Sequence, residues 1–89
     1  MEAISELPML HDMDADYAPQ YVKVARIVRD KIQAGEYKYL GYLPAPGLAS
    51  EYGVSVRVAW AALAMLAANR YVSRSGRFAP YRVTWQAGA

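Results

Sequence analysis

Apolar residues recur along this chain in two rhythms. Between Gln20 and Ala34, residues Tyr21, Val24, Ala25, Val28 and Ile32 fall three or four apart, with Lys23, Arg26, Asp30 and Lys31 off the stripe. That spacing predicts an amphipathic helix. Pro19 suits its first turn, where a missing N–H costs nothing, and Gly35 suits the position just past its end. In "APGLASEYG" the positions Leu48, Ala49 and Tyr52 give a narrow apolar face, predicting a short helix from about Pro46 to Gly53. "VS" then makes a turn, and Ser55 is a good N-cap for a third helix reaching about Ala68. Its inner stripe is Ala59, Ala62, Leu63 and Leu66, and Asn69 is placed to be its left-handed stop. The rhythm then shortens to two. Tyr71–Ser75 and Tyr81–Trp85 are β-rich, and Tyr81, Val83 and Trp85 alternate with Arg82 and Thr84. "GRFAP" between them holds the Gly and Pro of a hairpin loop. The Tyr-rich "EYKYLGYLP" after the first helix has room for one short strand.

Helix, helix, turn, helix, hairpin is the order of a winged helix-turn-helix: mainly α with a small β-hairpin. A two-stranded ribbon is not stable alone in water and must lean on the helices. The pattern places the domain at 19–85. Residues 1–18, broken by Pro8, followed by Pro19 and lacking any sustained period, read as an acidic flexible arm, and 86–89 as a flexible end. An 89-residue chain has room for one such domain.

Charge sharpens this picture. The net charge of +2 conceals an uneven distribution. Glu2, Glu6, Asp12, Asp14 and Asp16 lie in the first twenty residues, which hold no Lys or Arg. All ten basic residues follow, against only Asp30, Glu36 and Glu51, so the domain carries +7 and the arm −5. A small domain with that excess attracts polyanions, of which nucleic acid is the commonest.

The composition argues against several other classes. With no cysteine, the chain has neither a disulfide framework nor a thiolate metal site. The one histidine, His11, lies in the arm, and the three carboxylates of the domain are scattered over different elements. There is no Gly-rich phosphate loop and no metal-ligand spacing, so neither an enzyme nor a cofactor is expected. A signal peptide and a membrane span are not expected either, which makes the cytoplasm the expected compartment.

The segments "YVKVARIVRDKIQAGEY", "LP", "LASEYGVS", "AL" and the "YV…GR" hairpin resemble the N-terminal domain of GntR-type bacterial transcription regulators. The resemblance spans roughly residues 19–84. It implies a winged helix-turn-helix that binds palindromic operators as a dimer. The third helix enters the major groove and the wing glycine approaches the minor groove. "LPAPGLA" is one residue shorter than the family pattern and lacks its Arg; Val56, Trp60 and Ala61 stand where the family is usually basic. Arg70 replaces a usual Gly before the hairpin, and Phe78 and Pro80 lengthen the wing. The family's C-terminal effector domain does not fit within the chain, so sensing a small molecule by that route is not expected.

The candidate DNA-binding residues are Ser55, Arg57, Val58 and Trp60 on the third helix and Arg74, Gly76, Arg77 and Arg82 on the wing. Arg57 occupies the first turn of the helix, the part that meets base edges, and an Arg–guanine pair contributes ~1–3 kcal/mol of discrimination. Trp60 shares the outward side with Arg57, and Ala61, Ala64 and Met65 extend that side into an apolar face. A rotated register would instead put Trp60 under the wing, against Phe78 or Trp85. Two functions follow. The first is a DNA-binding regulator, most simply a repressor, acting on double-stranded DNA as a homodimer. The alternative is an interaction module without base readout that binds a protein through the Trp60 face.

Overall fold

The structure is a computed structural model, and it describes residues 19–87. The expectations placed on the acidic arm, on His11 and on residues 88–89 lie outside the described residues. The chain has three helices: α1 (Gln20–Gln33), α2 (Ala45–Tyr52) and α3 (Val56–Ala68). Three short strands, β1 (Tyr42–Leu43), β2 (Val72–Ser73) and β3 (Tyr81–Val83), form one antiparallel sheet in the order β1-β3-β2. This is a winged helix-turn-helix, as the pattern predicts.

Helix α1 starts one residue after Pro19, which occupies the N-cap and whose carbonyl accepts the N–H groups of Val22 and Lys23 at 3.0 and 3.2 Å. It ends in a paired motif: Gly35 N–H bonds Ile32 O at 3.1 Å and Glu36 N–H bonds Lys31 O at 2.9 Å. That motif requires a left-handed residue, and Gly35 supplies it at φ +83°. The buried face of α1 is Val22, Val24, Ala25, Val28 and Ile32. Val22, off the expected stripe, is fully buried, whereas Tyr21 is only half-buried.

Helix α2 starts at Ala45, one residue before the expected Pro46, and ends at Gly53 with φ +66°. Ser55 then caps α3, its hydroxyl oxygen accepting the Val58 N–H at 3.1 Å. Ala59, Ala62, Leu63 and Leu66 are buried as expected. Met65 is buried too, at 0% exposure, which corrects its placement on an outward apolar face. It lies one turn after Ala62 and beside Leu66, and its long side chain joins the core cluster.

The stop of α3 also differs from expectation. Asn69 has φ −98° and is not left-handed; its amide instead donates to Met65 O at 2.9 Å. The left-handed residue is Arg70, at φ +67°. Arg70 N–H bonds Ala67 O at 3.0 Å and Tyr71 N–H bonds Leu66 O at 2.9 Å, repeating the motif that ends α1.

The hairpin is shorter than its β-rich runs, because only Val72–Ser73 and Tyr81–Val83 pair. β1 adds a third strand on the other edge of β3, with Tyr42 opposite Arg82 and Leu43 opposite Tyr81. Leu43, Val72, Tyr81 and Val83 turn inward and close the core from below. The ribbon therefore leans on the helices through one continuous apolar face.

Candidate nucleic-acid interface

The N-terminus of α3 is exposed. The cap bond of Ser55 engages the Val58 N–H and leaves the first N–H groups of the helix, those of Val56 and Arg57, without intrahelical partners. Such a terminus favours an anion, by its N–H groups and its dipole together. The Ser55 hydroxyl hydrogen is not used by the cap bond. Arg57 is exposed and forms no ion pair among the described residues. Beyond Arg57 the outer side of α3 carries Val56 and the small Ala61 and Ala64. Val58 is half-buried and packs against the core.

Trp60 is exposed, as expected for the outward side of α3, and its ring partner is neither Phe78 nor Trp85. Its ring lies 5.9 Å from that of Tyr81, tilted by 60°. Arg74, just after β2, lays its guanidinium 4.7 Å from the Tyr81 ring and 5.5 Å from the Trp60 ring. Trp85 pairs instead with Tyr71, at 6.1 Å. Alternation along β3 turns Tyr81 inward toward α3, so it is Tyr81 that meets Trp60. Each cation–π contact contributes ~0.5–1 kcal/mol at such exposure. Together the three side chains tie helix to wing.

The wing is the loop 74–80 between β2 and β3. Arg74 also donates from Nη1 to the Arg77 carbonyl at 3.0 Å, and Ala79 N–H bonds Gly76 O at 3.1 Å. The second bond closes a four-residue turn with Arg77 and Phe78 at its corners. Gly76 is exposed, and a Cβ built there meets nothing within 4 Å. Arg77 and Phe78 are exposed, the guanidinium 5.8 Å from the ring.

Arg82 stands apart from the other wing candidates. It lies on the middle strand, on the outer face of the sheet, where Nη2 donates to Tyr42 Oη at 2.7 Å and the guanidinium sits 4.6 Å from the Tyr42 ring. Its Nε is buried without a partner. A charge so committed to a cross-strand neighbour is less available than Arg57 or Arg77.

Of the eight residues singled out from sequence, the fold brings Ser55, Arg57, Trp60, Arg74, Gly76 and Arg77 to the connected surface of α3 and wing. Tyr81 and Phe78 belong to it as well and were not among them. Tyr81 was legible as inward-facing from its alternation, but its partner was not. Beside this surface runs an apolar groove of about 180 Å³, lined by Pro44, Ala45, Pro46, Trp60, Phe78 and Tyr81 among others.

A second polar cluster lies between α1 and α2. Tyr37 Oη is 2.8 Å from Tyr52 Oη and donates to Glu51 at 3.2 Å, and Lys31 reaches Glu51 at 3.5 Å. Burial first, then the Tyr52 hydroxyl and Glu51, raise the Tyr37 pKa far above the ordinary phenol value. These contacts consume Glu51, so the last carboxylate before the basic half is held away from α3 and the wing. Among the described residues there is no His/Cys/Asp/Glu group able to hold a metal, and no helix long and apolar enough to cross a membrane.

The model of bacterial regulatory proteins of the gntR family matches residues 20–79. A solved GntR-family transcriptional regulator is similar to the chain with 33% identity and a TM-score of 0.66. That likeness covers 81% of this chain and 28% of the regulator. A GntR-family transcriptional regulator from Listeria monocytogenes shares the fold at a TM-score of 0.64 and 21% identity, over 80% of this chain and 62% of its own. The chain thus spans less than two thirds of either. No curated protein matches it. From the helix-turn-helix, the sheet and the family match over 20–79, the chain belongs to the GntR family of bacterial regulatory proteins.

Proposed function

We propose that the chain is a sequence-specific DNA-binding transcription regulator, most simply a repressor, that reads double-stranded DNA with α3 in the major groove. The observation that supports it is the joined surface of α3 and wing. There Arg57 lies in the first turn of α3, Arg74 lies over Trp60 of the same helix and Arg77 sits on the wing turn that Arg74 bonds, in a part of the sequence without a carboxylate after Glu51. Arg57 takes the base-reading role, bidentate to a guanine, and is the one long polar side chain in the first turn. Val56 and Ala61 offer apolar contact to thymine methyl groups. Ser55 and the first N–H groups of α3 hold a phosphate. Arg77 and Gly76 face the adjacent minor groove, Arg74 braces them, and Arg82 takes a minor backbone role at most. A homodimer matches a palindromic site.

The test is a binding titration against DNA flanking the chain's own gene, with wild type beside Arg57→Ala and Arg77→Ala. Arg57→Ala is expected to weaken specific binding by ~1–3 kcal/mol and to relax the preference for one base pair. Arg77→Ala weakens all sequences alike and lowers the salt dependence. Unchanged affinity in both variants would sink the assignment.

The groove lined by Pro44, Pro46, Trp60 and Tyr81 supports a second reading, a module that binds a protein there. It is favoured if a captured partner is lost in Trp60→Ala while DNA affinity is absent in the wild type.

A further inference from the structure

Phe78 is the chain's one phenylalanine, and it is 94% exposed, against 58% for the next most exposed large apolar side chain, Tyr42. A ring left in water on a well-formed turn is a conspicuous apolar exposure. The turn that carries it is bonded at both ends. The Gly76–Ala79 bond of 3.1 Å puts it at a corner of the wing turn, and Pro80 follows it. Arg74 fixes that turn to α3 through the Arg77 carbonyl and the Trp60 and Tyr81 rings. Beside the ring stand the Arg77 guanidinium and a glycine open to close approach.

An exposed apolar ring at the tip of a bonded turn and flanked by a cation suits a target whose flat apolar surface lies next to negative charge. The base stack seen from the minor groove, between its phosphates, has that chemistry, and apolar side chains inserted there unstack a step and kink the duplex. We infer that Phe78 is a wedge: it enters the minor groove beside the site read by α3, partly unstacks one base step and bends the DNA. This rests on the DNA-binding reading above. It adds a specificity element, because flexible pyrimidine–purine steps unstack more readily than stiff ones, so the wing favours them without a hydrogen bond to a base.

The test uses duplexes selected by the wild-type protein from a random-sequence pool, labelled at both ends for energy transfer. A fluorescent adenine analogue is placed in turn at the steps flanking the α3 site. The full chain is compared with Phe78→Ala and Phe78→Leu; so exposed a position leaves folding unaffected, which circular dichroism checks. Wild type is expected to raise energy transfer on binding and to brighten the analogue at one step. Phe78→Ala is expected to bind about tenfold more weakly, by loss of one stacking contact, and to lose both signals. Phe78→Leu keeps most of the bend, as a leucine wedge also unstacks. Binding by Phe78→Ala with the bend and the brightening unchanged overturns the wedge alone. Absence of binding by every variant overturns the DNA reading and the wedge with it. A self-associated wild type, seen by light scattering and lost in Phe78→Ala with DNA bending intact, assigns the ring to a second copy and overturns the wedge.

Discussion

Arg70 carries the clearest residue-scale conflict in the fold. At φ +67° it fills a position that Gly takes without strain, and the motif closing α3 leaves it no other conformation. A left-handed L-residue costs roughly 1–2 kcal/mol relative to Gly, offset in part by the greater freedom Gly has when unfolded. Arg70→Gly is therefore expected to raise stability by about 1 kcal/mol, read as a higher urea midpoint. A lower midpoint would show that the Arg70 side chain makes a contribution larger than its backbone strain. Met65 is a second residue where position decides. Fully buried, it should cost ~2–5 kcal/mol when changed to Ala, whereas a surface methionine would cost almost nothing.

Among the elements, α1 and α2 both pack on α3, and the Tyr37–Tyr52–Glu51–Lys31 cluster joins them to each other. The fold holds Tyr37 as the neutral phenol, with its pKa raised by burial and by its two partners. The sign follows directly: stability is intact below the ordinary phenol pKa of 10.0 and is lost as pH rises beyond it, since the unfolded chain ionises first. The urea midpoint of the wild type is expected to fall more steeply from neutral pH to strongly alkaline pH than that of Tyr37→Phe. Equal falls would assign the alkaline loss to other groups. Helix α3 and the wing are joined by Trp60, Arg74 and Tyr81 in a corresponding way, so the two present one surface.

At the scale of the whole molecule, charge and shape point the same way. The +7 balance of residues 21–89 is spread over α1, α3 and the wing, while Asp30 and Glu51 are paired with Arg29 and Lys31 at 3.0 and 3.5 Å. With about four or five phosphates contacted, the slope of log K against log salt should be near −4. A flat response would remove the electrostatic basis for DNA binding. The arm of 1–18, with its −5, is either a solubilising tail or a tethered competitor with DNA for the basic surface. A rise in affinity at low salt on its deletion identifies the competitor, and unchanged affinity the tail.

What the sequence determined alone is whatever depends on near neighbours. Helix spacing, the Ser55 cap, and Gly35 and Gly53 as stops are local chemistry, and each stood in the structure where the pattern put it. The family pattern in "LASEYGVS" was legible for the same reason, since a turn between two helices is written in consecutive residues. Arg57 as a first-turn residue followed from that register. The tertiary structure decided what depends on residues far apart in the chain. Which of Asn69 and Arg70 turns left-handed was set by the turn that brings Val72 into the sheet. Met65 went inside because α1, α2 and β2 pack around α3, and Arg82 was drawn to Tyr42 by the pairing of β3 with a strand forty residues earlier. Trp60 was the residue least readable from its own surroundings. On an isolated helix it is an exposed aromatic; only when β3 brings Tyr81 and the wing brings Arg74 beside it does it become the joint between the two parts of the surface.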